Sequence, residues 1–185
     1  MTRLNVNPTR MELKKLKARL STAVRGHKLL KDKSDEMIRR FTVIIKENKR
    51  LRDQAEKELG DCLKQFSAAV SGMSAPEMGN AFSFPVSGVK AEFSTSDVMS
   101  VVVPKITVNE NISKAVFPYA FTEITSEADY SIERVGKVLG LLLRLAESEK
   151  TAAMLAVEIE RNKRRVNALE YIMIPQIEET IKYIK

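Results

Sequence analysis

Apolar residues recur along the first part of the chain at spacings of three and four: Leu13, Leu16, Leu20, Ala23, Leu30, Met37, Phe41, Ile44, Leu51 and Ala55. His27, Ser34 and Asn48 occupy polar places in the same series. A narrow seam held for about six heptads predicts a coiled coil rather than the wider apolar face of a globular helix. Beyond Ala55 the series moves to Leu59, Cys62, Phe66 and Ala69, a stutter that locally relaxes the supercoil. Val6-Asn7-Pro8 predicts the start, with Asn7 capping, Pro8 in the first turn and Val6 stapled onto Met11. Gly72 predicts the stop, so a first long helix is expected over 8–71.

A second long helix is expected over 126–185, opening at Ser126 with Asp129 three residues on. Its seam reads Ile132, Val135, Leu139, Leu142 and Ala146. After a phase shift it continues through Ala152, Leu155, Ile159, Asn162, Val166, Leu169 and Met173. Pro175 removes a helical hydrogen bond and crowds the preceding turn, which predicts a kink near Ile172 to Pro175. At 1.5 Å per residue each helix would span roughly 90 Å, and two such helices in one short chain must pair antiparallel.

Between them, residues 72–125 exchange Lys, Glu and Leu for Met, Gly, Pro, Ser, Phe and Val. Val89–Phe93 and Val98–Val103 read as strands joined by a turn at Ser94–Asp97, with Pro104 ending the second, so a hairpin is expected at about 88–104. The fold class is mostly α: a long antiparallel two-helix coiled coil with a small head, containing a β-hairpin, between the helices.

Charge changes the picture. The formal charge is +7, yet residues 1–60 hold 17 Lys or Arg against 8 Asp or Glu and the remainder 14 against 16. The surplus lies entirely in the first third, which must face water or an acidic partner. Apolar runs such as Val101–Val103 fall far short of the roughly 20 residues that cross a bilayer. The polar, basic N-terminus lacks the pattern of a secretory signal, so a cytoplasmic location is expected. Cys62 is the only cysteine and reads as a seam thiol.

No phosphate-binding loop, dinucleotide fingerprint, H-E-x-x-H or paired C-x-x-C occurs, and catalysis, cofactors and metals are not expected. His27 is the only histidine; on the seam it reads as a register-setting polar residue rather than a ligand or base. Gly26 costs about 1 kcal/mol in mid-helix and leaves open a close backbone approach or a slight bend. Nucleic-acid binding is disfavoured, because no aromatic residues alternate with the basic ones.

Three stretches carry a resemblance: RLNVNPTRMELKKLK at Arg3–Lys17, RGHKLLKDK at Arg25–Lys33 with Asp35-Glu36, and RRVNALEYIMIPQ at Arg164–Gln176 followed by IEETI. Together they resemble the D subunit of V-type and archaeal-type rotary ATPases, while residues 73–125 resemble it only in the hairpin-like pattern at VMSVVVP, Val98–Pro104. The resemblance implies the shaft of the central stalk, a non-catalytic rotor component. It turns within a hexamer of alternating catalytic A and non-catalytic B subunits, binds the small F subunit, and reaches the membrane rotor ring through a linker subunit. It also implies a protein peripheral to the cytoplasmic face of the membrane. Family members usually continue past the equivalent of Lys185, so a further C-terminal segment is expected.

Two sets of residues follow from combining that resemblance with the patterns. Arg10, Lys14, Arg25, Lys28, Lys31, Arg161, Arg164 and Arg165 should gather at one end and meet acidic patches of the hexamer. Leu13, Leu16, Leu20, Leu30, Met37, Phe41, Ile44, Leu51, Leu139, Leu142, Leu155, Ile159, Val166 and Leu169 should form the seam. The competing reading is a prefoldin-like chaperone, which also sets strands between the arms of a helical hairpin.

Overall fold

The computed structural model describes residues 3–74, 76, 79, 90–109 and 126–185. Helix α1 runs unbroken over Arg10–Val70. Its cap is Thr9 rather than Asn7: the Thr9 hydroxyl accepts the Glu12 N–H at 3.3 Å, and the Thr9 carbonyl accepts the Leu13 N–H at 3.0 Å. Thr9-x-x-Glu12 is a capping-box spacing, and it places the helix start two residues beyond Pro8. Val6 does not staple Met11, which is exposed; it packs instead with Leu4 against Leu16, Ile177 and Ile181.

A hairpin follows, β1 (Lys90–Val98) antiparallel to β2 (Val101–Asn109). The turn is Met99-Ser100, not Ser94–Asp97, and Pro104 lies within β2 opposite Thr95. Both turn residues have positive φ, 55° and 67°, which is the twist a two-residue hairpin requires, and Asp97 Oδ1 accepts the Ser100 N–H at 2.8 Å. Proline is tolerated because antiparallel pairs alternate: the turn-flanking Val98↔Val101 pair is hydrogen-bonded, so Thr95↔Pro104 is not, and no ladder N–H is lost. Val89, expected to start the first strand, lies outside the described residues.

Helix α2 covers Ser126–Ala168, a π-helical turn Leu169–Met173 follows, and α3 covers Ile174–Ile184. The π turn is the form that the expected disturbance at Pro175 takes. The Ile174 N–H reaches back five residues to the Leu169 carbonyl, so one extra residue enters the turn just before the proline. That extra residue moves the seam by one position. Met173, expected inside, is 47% exposed, and Ile177 at 3% and Ile181 at 7% carry the buried face onward.

Along α2 the buried positions are Val138, Ala152, Leu155, Asn162 and Val166, with Leu141, Leu145, Ser148, Ile159 and Leu169 half-buried between them. These keep the three-four spacing throughout and no phase shift occurs. The expected Leu139 is 38% exposed beside Val138 at 3%, and Val135 and Ala146 are exposed as well. Two apolar stripes run side by side here, and the buried one continues the heptads of Leu155 and Asn162. The Ile132 side chain lies outside the described residues.

The chain divides into two compact units, Met1–Val43 with Ala153–Lys185, and Ile44–Ala152. In the first, α1 pairs antiparallel with the end of α2 and with α3, and the N-terminal segment crosses α3: the Leu4 N–H donates to Thr180 Oγ1 at 3.2 Å and the Arg3 guanidinium stacks 4.5 Å over Tyr183. The second pairs the end of α1 with the start of α2. Cys62 is 1% exposed there, and the hairpin is tied on where Glu147 Oε2 accepts the Ile106 N–H at 2.9 Å.

Candidate functional site

Charge divides along the same line as packing. The Met1–Val43 and Ala153–Lys185 unit holds 18 Lys or Arg against 9 Asp or Glu, net +9; Ile44–Ala152 holds 13 against 15, net −2. All eight basic residues expected at a partner surface lie in the first unit, and all are exposed.

They do not form one cluster. The contacts His27–Glu170 and Met37–Asn162 set the register, and they place Arg165, Arg164 and Arg161 opposite residues 33 to 37 of α1, with Lys31 about one turn and Lys28 about two turns away. Arg10 and Lys14 sit roughly 20 Å farther along α1, fourteen or more residues from Lys28. Arg25 Nε is turned back onto the Ser21 carbonyl at 3.3 Å. Arg161 and Arg165 both approach Glu158, at 3.6 and 3.9 Å, and Arg164 pairs with Glu160 one turn back. Lys28 and Lys31 have no ion pair among the described residues. Arg39 and Arg40 belong to the same belt, where both meet Glu36. Neither was among the basic residues expected at a partner surface.

Beneath this belt the seam carries polar pins. Asn162, 2% exposed, donates from Nδ2 to the sulfur of the fully buried Met37 at 3.3 Å. Half-buried His27 meets Glu170 at 3.3 Å through Nε2, and buried Ser34 lies between the two. In the second unit Arg52 Nη2 donates to Glu149 Oε1 at 2.8 Å, and Arg134 Nη1 to Gln65 Oε1 at 3.1 Å. Each joins α1 to α2, and each is satisfied only at one alignment of the two helices. Of the expected seam, Leu16, Met37, Leu155 and Val166 are buried, and Leu13, Leu20, Leu30, Phe41, Ile44, Leu51, Leu142, Ile159 and Leu169 are half-buried. Leu139 is the exception.

Gly26 has open space where a Cβ would stand, so nothing among the described residues requires a glycine there. One shallow groove, in the second unit, is lined by Ile45, Asn48, Lys49, Arg52, Glu149 and Ala152. Of its three charged residues, Arg52 and Glu149 are already paired with each other, which leaves Lys49. Among the described residues no group of His, Cys, Asp and Glu is placed to hold a metal ion, and no helix is long and apolar enough to cross a membrane.

Long paired helices with satisfied pins, an exposed basic belt and a hairpin between the helices define a helical scaffold component, one that offers surfaces to partners. The family of ATP synthase D subunits matches residues 12–185, and the chain belongs to that family. It is similar along its whole length to proteins named as the D subunit of V-type ATP synthase. These include one from Fusobacterium nucleatum, 50% identical and matched over 88% of its length. Those from Clostridioides difficile and Enterococcus faecalis are 49% and 46% identical, matched over 83% and 89% of theirs. The prefoldin-like reading is set aside on this ground.

Proposed function

We propose that the chain is the central rotor shaft of a V-type ATPase, turning inside a hexamer of alternating A and B subunits and passing torque between ATP hydrolysis or synthesis and a membrane rotor ring that carries hydrogen or sodium ions. The observation that carries this is the basic unit: net +9, exposed lysines and arginines, and a seam pinned beneath them by the Asn162–Met37 and His27–Glu170 contacts. A shaft needs both properties. Its helices must resist sliding when loaded, and its surface must hold a ring without gripping one face permanently.

The mechanism follows from symmetry. A two-helix body presents a different face to each of three equivalent catalytic sites, so contact free energy differs between them and biases them towards different nucleotide affinities. Turning the shaft permutes those states; by linkage, nucleotide exchange at the sites biases the shaft angle. ATP chemistry then belongs to the ring, and this chain supplies no catalytic group. Charge contacts at the belt suit the task because exposed pairs are each weak, screened by salt and readily exchanged.

The remaining partners fit the second unit. The exposed stripe of Val135 and Leu139, continued by half-buried Leu142, has the spacing of a further helix seam and is a fitting seat for the F subunit. The head with its hairpin is assigned to the region outside the hexamer, near the F subunit or the linker to the membrane ring. The protein accordingly works at the cytoplasmic face of the membrane without entering it.

The test is reconstitution with the purified hexamer. The chain should bind, raise steady-state ATP turnover and rotate under a bead assay. Failure to bind the hexamer at low salt in the presence of nucleotide would defeat the reading.

A further inference from the structure

The two edges of the hairpin are treated differently. On β2 the two middle outward positions are closed, since Pro104 has no N–H and the Ile106 N–H is taken by Glu147 of α2, while the outward positions of Val102 and Val108 lie towards its ends. That contact also fixes the alternation, since the Ile106 N–H must point away from β1 to reach α2. The same alternation turns the backbone groups of Ala91, Phe93, Thr95 and Asp97 outwards on β1. Nothing among the described residues pairs with them. β1 has no proline and no bulge, and its charged residues, Lys90, Glu92 and Asp97, stand towards its ends and leave Phe93–Ser96 uncharged. Phe93 stands 75% exposed in its middle.

We propose that β1 is a docking edge, onto which an extended segment of another subunit of the rotary complex adds as a third, antiparallel strand. This rests on the shaft reading above. A row of unpaired N–H and C=O groups is matched by another strand and poorly by a helix. Antiparallel pairing is preferred because it is the more stable ladder per residue and continues the pattern already present. Side chains specify the segment. Opposite Phe93 it carries an aromatic or β-branched residue, the cross-strand pairing that most stabilises an exposed face. Opposite Asp97, four residues towards its own N-terminus, it carries Lys or Arg. Asp97 is exposed and the unit around it is net negative, so a basic strand is the complementary one.

Residue-resolved amide exchange on the isolated chain and on the assembled complex tests this. In the isolated chain the amides of Glu92, Ser94, Ser96 and Val98, which face β2, should be protected, and those of Phe93, Thr95 and Asp97 should not. In the complex the second set should slow about tenfold or more. Thr95→Pro supplies the second arm. It removes an outward N–H opposite Pro104, where the β1–β2 ladder loses nothing. Protection of Ser94 and Ser96 should survive, whereas affinity for the rest of the complex should fall roughly five- to tenfold.

Three results would overturn the proposal. Outward amides that exchange equally fast in the complex would leave the edge without an occupant. Protection already present in the isolated chain would assign the edge to this chain's own segments, or to a second copy where it rises with concentration. A Thr95→Pro chain that keeps its ladder and assembles with unchanged affinity would show that the edge is not used. A chain that never enters the complex would instead defeat the shaft reading, and the two failures are thus separable.

Discussion

Gly26 and Asn162 show how single positions set opposite properties. Gly26 lies inside α1 with no atom near the place of a Cβ, so the backbone entropy it costs is not offset by any close packing within the chain. Gly26→Ala should therefore stabilise the isolated protein by about 1 kcal/mol, visible as a rise of roughly 2–4 °C in a thermal melt. If the same variant binds the hexamer less well, the glycine serves a partner's backbone. Asn162 works the other way. Buried against the Met37 sulfur, it costs stability relative to an apolar residue and rewards one alignment of the helices. Asn162→Leu should raise the melting temperature while admitting shifted or oligomeric pairings, which sedimentation velocity would report as additional species.

The π turn is the clearest case of an element decided by one residue. Pro175 cannot donate to the carbonyl four residues back and its ring crowds that turn, and the extra residue in Leu169–Met173 relieves both problems. Deleting Ile172 would restore the α-helical count and keep Ile177 and Ile181 on the buried face, but it would return the proline to a regular turn. The deletion alone should destabilise by about 3 kcal/mol, and combining it with Pro175→Ala should recover most of that loss. Urea unfolding of the two variants is the measurement, and equal stability of the two would contradict the assignment.

Both long helices were legible from periodicity because their heptads persist far longer than chance allows. Details failed wherever two patterns competed. Val135, Leu139 and Ala146 form as regular a stripe as Val138, Leu141 and Leu145, and only the partner helix selects between them. In the hairpin, Ser94–Asp97 has turn-forming composition, yet the turn falls at Met99-Ser100, a pair with no conformational preference for positive φ. The register of the strands and the Asp97 contact settle that, and neither is local information.

At the scale of the whole molecule, charge and packing share a boundary: one unit is net +9 and the other net −2. Attachment to an acidic partner should accordingly depend on the first unit alone and weaken as salt rises. Replacing Lys28, Lys31, Arg164 and Arg165 together by Glu should lower hexamer affinity by at least about tenfold in low salt and flatten its salt dependence, with circular dichroism unchanged. The basic residues were identifiable as a set from the sequence; their grouping was not. Separating Arg10 and Lys14 from the belt requires knowing which residues of α1 lie beside Glu170 and Asn162.

Cys62, the only thiol, is sealed on the paired face of α1. An alkylating reagent can reach it only while the neighbouring helices stand apart, so its modification rate is a clock for that opening, present without any engineering. On the proposed shaft role, comparing that rate in a freely turning motor with one stalled against load would reveal whether the helix pair strains open under torque or stays shut.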